Sequence, residues 1–132
     1  MSDAVIPQRV QRFIATHIDS IEKLEVLLLL RAHAEREWTA REVSLELRIA
    51  ESSAATRLTD LTARRLVAQL AEGRYRYGPA SSEDAQDVAE LAATYSTRRV
   101  SVISFIFSKP LEKVRGFADA FRLKRDKDDP NG

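Results

Sequence analysis

The sequence predicts a mainly α-helical fold carrying one small antiparallel β-hairpin, and three observations lead there. Apolar residues recur at helical spacing through most of the 132 residues. Thr39 stands three residues ahead of Glu42, a capping-box spelling that starts a helix. Arg74-Tyr75-Arg76-Tyr77 alternates with period two and stops at Gly78-Pro79, as a short strand does.

The length suits one compact domain with a real core, spanning 1–132, and 44% apolar residues argue against disorder. There is no cysteine, so disulfides and thiolate metal sites are excluded. The densest apolar run, Val26 to Leu30, is far shorter than the ~20 residues of a membrane span. Met1 to Pro7 lacks the basic start and apolar centre of a signal peptide. The expectation is a soluble cytoplasmic protein. Net charge is only +1, but its distribution is uneven. Residues 83–90 hold four acids and no base, whereas arginines gather at 57, 64, 65, 74 and 76, so a basic face can hide in a near-neutral chain.

The elements follow in order. Val5 to His17 reads as a helix with Val10, Phe13 and Ile14 on its apolar side, and Pro7 suits its first turn. Ser20 caps a second helix running to about Ala34. Ile21, Leu24, Leu28 and their leucine neighbours give it a broad apolar face, which places it centrally. The helix after Thr39 aligns Ala40, Val43 and Leu47, and Ile49 falls in a tight connection. In the next helix Ala54, Leu58 and Leu61 form the buried stripe, leaving Ser52, Ser53, Thr56, Arg57 and Asp60 more exposed. Leu66 to Leu70 and Arg74 to Tyr77 pair as a two-stranded hairpin across Ala71-Glu72-Gly73, with the turn type open. Ser81 starts a helix whose acidic first turn complements its dipole. Its register runs unbroken from Val88 through Ile106, so one long helix is expected. The β-branched and aromatic residues 100–107 leave a strand as the local alternative. Pro110 opens a last helix with Leu111, Val114, Phe117 and Phe121 on one side.

Two short helices followed at once by a hairpin describe a winged helix-turn-helix over residues 19–79, with residues 81–125 as C-terminal helices. Val43, Ser44, Leu47, Ile49, Ser53, Ala54 and Leu58 occupy the places of its usual helix-turn-helix spelling. The run Ser52 to Val67 resembles the recognition helix and first wing strand of bacterial MarR-type transcription regulators. That resemblance covers about forty residues and extends loosely to the flanking helices. It implies a sequence-specific regulator binding double-stranded DNA as a homodimer. Ser52, Ser53, Thr56 and Arg57 would face base edges, with Arg57 able to make a bidentate guanine contact. Arg64, Arg65, Arg74 and Arg76 would meet the phosphate backbone or minor groove. Val10, Phe13, Ile14, Tyr95, Val102, Ile103, Ile106, Leu111, Val114, Phe117 and Phe121 would form the dimer interface. The alternative for these stripes is packing back on the leucine-rich helix. The family also implies a small-molecule effector, which nothing in the sequence identifies.

Departures from the pattern favour a second reading. Arg48 stands where the turn usually has Gly, Ala50 where it has a Ser-type cap, and Glu51 would repel phosphate. A winged-helix module for protein–protein interaction, without DNA binding, is that alternative. No enzyme, cofactor or metal is expected. His17 and His33 lie on separate helices without ligand spacing, and the four glycines form no phosphate-binding loop. The Lys124-Arg125-Asp126-Lys127 run reads as a solvated tail.

Overall fold

The computed structural model describes residues 6–108. It is mainly helical with a small three-stranded antiparallel sheet. The order is α1 (Gln8–His17), α2 (Ile21–Ala32), β1 (Trp38–Thr39), α3 (Ala40–Leu47), α4 (Glu51–Ala63), β2 (Val67–Gln69), β3 (Arg74–Tyr77), α5 (Ser82–Thr97) and α6 (99–108). No helix among the described residues is long and apolar enough to cross a membrane.

Local chemistry starts most of these helices. Pro7 precedes α1, and its carbonyl accepts from the Gln11 N–H. The Ser20 hydroxyl accepts from the Lys23 N–H, and the Ser81 hydroxyl from the Asp84 N–H. Thr39 and Glu42 form the full reciprocal capping box, at 3.1 Å and 3.0 Å. These bonds satisfy donors that every helix leaves orphaned at its start. α1 and α4 have no such side-chain cap, because neither Pro7 nor Ala50 offers a side-chain acceptor.

α3 and α4 end alike. Arg48 has φ 61° and Arg65 φ 64°, both left-handed. The following N–H groups reach back five residues, Ile49 to Ser44 and Leu66 to Leu61, which is the Schellman closure. Glycine is the usual residue at such positions, and a side chain there costs about 1–2 kcal/mol. We expect Arg48→Gly to stabilise the fold by about 0.5–1 kcal/mol, since glycine's extra chain entropy offsets part of the relief. Ala50→Ser is expected to add about 1 kcal/mol through the missing cap. Urea unfolding of each single variant measures both, and a midpoint at or below that of the parent would contradict either.

The sheet corrects one expectation. The hairpin is joined by β1 on the far side of β3, in the order β1-β3-β2. Trp38 pairs with Tyr75 and Thr39 with Arg74. A two-residue strand has no periodicity to read, and Thr39 serves as strand residue and helix cap together. The β2 strand also starts one residue later than Leu66, because Arg65 and Leu66 are spent closing α4. In the turn, Glu72 and Gly73 both have positive φ and the Arg74 N–H donates to the Ala71 carbonyl. That is the primed geometry matching the twist of paired strands.

The long C-terminal helix is corrected too. It breaks at Arg98 (φ −131°), and residues 99–108 form a second helix, so the strand alternative for 100–107 fails. The Ser96 and Thr97 hydroxyls both donate to the Ala93 carbonyl. Such back-bonding competes with the backbone ladder and bends helices. The bend lets Val102 and Ile106 enter the core that Val88, Leu91 and Tyr95 already fill.

That core surrounds α2, whose Leu24, Val26, Leu27 and Leu30 are fully buried. α4 packs on α2, α3 on α4, and α1 on α5. Val10, Phe13, Ile14, Tyr95, Val102 and Ile106 lie in this core, at 9% exposure or less. The dimer contact expected of them is therefore reassigned: a side chain sealed within its own chain has no surface for a second copy. Ile103 is half-buried. Leu111, Val114, Phe117 and Phe121 lie outside the described residues.

Candidate nucleic-acid interface

The outer face of α4 follows from its buried stripe. Ala54, Leu58 and Leu61 face the core. The opposite line is Ser52, Thr56, Thr59 and Ala63, all exposed and all uncharged. Ser53 is half-buried beside it. Arg57 is not on that line. It lies three residues after Ala54 and four before Leu61, which sets it at the edge of the buried stripe. Its Nε donates to Glu22 on α2 at 2.8 Å, with each side chain 29% exposed. The guanidinium expected at base edges is thus turned against the molecule's own helix.

Arg64 is similarly engaged. Its Nε donates to Asp60 at 2.8 Å and its Nη1 to the Thr16 carbonyl at 2.7 Å. Asp60 also pairs with Lys23, and Lys23 with Asp19 at 3.0 Å. Lys23 is only 3% exposed. Burial alone would raise the Asp60 pKa, but hydrogen bonds from Lys23 and Arg64 win and hold it below its usual value. The sequence reading missed this network. Its one available signal was Lys23 between Glu22 and the apolar Leu24, and a charged residue in a first turn is read as solvated by default.

Arg65, Arg74 and Arg76 remain. All three are exposed, and among the described residues none takes part in an ion pair. The alternation of β3 puts Arg74 and Arg76 on one side of the hairpin while Tyr75, at 9% exposure, faces in. Arg41 on α3 and Arg48 in the connection are further exposed cations outside the expected contact set. Glu46, Glu51 and Glu72 are exposed as well. The cationic set therefore belongs to the hairpin and the two helix ends, while the start of α4 is acidic.

One more polar place lies between α1 and α5. Arg9 pairs with Asp87 across the mouth of a cleft of about 540 Å³ that Arg12 and Glu83 also line. His17 borders it, in tilted ring contact with Phe13 at 4.8 Å. Burial, reinforced by Arg64, lowers the His17 pKa and favours the neutral ring.

No family model, curated protein or solved structure matches the chain.

Proposed function

We propose that this protein is a winged helix-turn-helix regulator that binds double-stranded DNA as a homodimer and controls transcription. The observation carrying this reading is the hairpin: Arg74 and Arg76 project from one side of β3, unpaired among the described residues, beside an α3–turn–α4 unit with an exposed outer helix. In that arrangement α4 enters the major groove with Ser52 and Thr56 at base edges. Arg65, Arg74 and Arg76 neutralise phosphates on either side. Phosphate contacts set position and most of the affinity, and base contacts set preference. Arg57 and Arg64 move from the contact set to the scaffold, since their guanidinium groups orient α4 against α2 and α1.

The test is binding to a pool of random duplexes, followed by selection, at low and moderate salt. Each of Arg74→Ala and Arg76→Ala is expected to flatten the slope of log affinity against log salt by about 1. Arg57→Ala is expected to leave sequence preference in place while lowering stability. Absence of any salt-sensitive complex at low ionic strength would end the DNA reading.

A second reading draws on the uncharged outer line of α4 and on Leu45, 66% exposed on α3. These suit a winged module that meets another protein, and Glu51 at the start of α4 would not oppose that use.

A further inference from the structure

The outward stripe of α4 is poor in hydrogen-bond donors and rich in methyl groups. Ser52, Thr56, Thr59 and Ala63 are exposed, with Ala55 half-buried beside them. Ala55, Thr56, Thr59 and Ala63 line a shallow hollow of about 460 Å³. Asp60 borders it, but its carboxylate is taken by Lys23 and Arg64. From Glu51 to Ala63 there is no Asn, Gln, His or Lys. The donors this helix does carry are largely spent within the chain. The Arg57 Nε donates to Glu22, the Thr56 hydroxyl to the Ser52 carbonyl at 3.0 Å, and the Thr62 hydroxyl to the Leu58 carbonyl at 2.8 Å.

In the major groove guanine shows two acceptors, and adenine an acceptor beside a donor, so both are read by side chains with paired polar atoms. Arg57 is the one such fork on α4, and it is held by Glu22. Glu51, beside the first turn, offers only acceptors, which the guanine acceptors oppose. What the stripe can present is the Ala55 methyl and the γ-methyls of Thr56 and Thr59. Thymine alone of the four bases carries a methyl group in that groove.

We infer that α4 recognises DNA by apolar contact with thymine 5-methyl groups, so that its partner is a duplex with a short thymine-rich run beneath Ser52 to Thr59. This rests on the DNA-binding reading and names the class of duplex it requires. Seven residues at about 1.5 Å each span roughly 10 Å, or three base-pair steps of about 3.4 Å. Arg65, Arg74 and Arg76 supply the charge that the stripe lacks, on the backbone to either side. Each methyl buried between protein and base is worth about 4-fold in affinity.

The test uses the full chain and the tightest duplex selected from the random pool. A second duplex of the same sequence carries deoxyuridine in place of every thymidine. That change removes the methyl groups and leaves the base pairs, the minor-groove edges and the phosphates in place. At low salt the uracil duplex is expected to bind roughly 10- to 60-fold more weakly, for two to three lost methyl contacts. Thr56→Ser combined with Thr59→Ser removes both γ-methyls and keeps both hydroxyls. That variant is expected to bind the thymine duplex roughly 10-fold more weakly and to lose most of the difference between the two duplexes. A folding defect would weaken both duplexes alike, and the uracil comparison on the unaltered chain is free of it. Equal affinity for the two duplexes, with salt-sensitive binding retained, would overturn the inference and leave the DNA reading standing. A double variant that keeps the full difference would overturn it as well. No salt-sensitive complex with any duplex would remove the DNA reading and this inference with it.

Discussion

Asp60→Ala is expected to lower stability by about 2–3 kcal/mol, one of the two largest losses of any single polar or aromatic change considered for this chain. The reason is Lys23. Its ammonium is 3% exposed and is held by Asp60 from α4 and by Asp19, which is itself about half exposed. Removing one partner of a buried pair strands the other charge, typically at 3–5 kcal/mol. The figure is reduced here because Asp60 is 34% exposed and Asp19 still serves Lys23. Lys23→Met should cost much less, since Asp60 keeps Arg64 and partial solvent. The double variant should then be more stable than Asp60→Ala alone. A double-mutant cycle by urea unfolding gives the coupling, and strict additivity would contradict the network. The pH dependence has a definite sign. The folded Asp60 pKa is lowered, so its contribution is fully present above the unfolded value of about 3.9 and is lost as pH falls through the folded value. The gap between parent and Asp60→Ala should therefore hold from pH 7 to pH 5 and close below about pH 4.

What the sequence made legible was what neighbours along the chain decide. Ser20, Thr39 with Glu42, and Ser81 start their helices through bonds to the third residue on. Arg74 to Tyr77 alternates and forms a strand over that same span. What stayed hidden was set across space. Arg57 meets Glu22 from 35 positions away, and no local pattern distinguishes that arginine from one aimed at solvent. Lys23 is buried because α4 brings it a carboxylate, so its surroundings reverse the usual preference of lysine. The break at Arg98 carries no Gly or Pro and depends on two hydroxyls sharing the Ala93 carbonyl. The candidate interface divides the same way. Arg74 and Arg76 could be placed on one side of a strand from alternation alone. The stripes at Val10 and Val102 could be recognised as apolar, but whether the chain's own core or a second copy takes them depends on packing.

Trp38→Ala should be the most damaging single change, at about 3–5 kcal/mol. Trp38 is 1% exposed and is the only tryptophan. It sits in β1 opposite Tyr75, so its side chain and its backbone together tie the hairpin to the helices. The Arg36 guanidinium lies 3.6 Å from its ring centroid and closes the outer side, worth about 0.5–1 kcal/mol at a half-exposed site. Its indole N–H is buried without a partner among the described residues. Loss of the ring and loss of the N–H can therefore be separated. Trp38→Phe keeps most of the aromatic volume and removes the unpaired donor, so a small void and a relieved polar group oppose each other, leaving a change within about 1 kcal/mol. Circular dichroism with urea distinguishes the two variants, since the fluorophore itself is lost. A large loss in Trp38→Phe would mean that the indole N–H holds a water or a carbonyl after all. Hydrogen exchange gives the functional link. In Trp38→Ala the amides of the β1–β3 ladder should lose protection before those of α4. The cationic hairpin would then be loosened from the α3–turn–α4 unit, and any DNA affinity should fall by more than the loss of Arg74 or Arg76 alone.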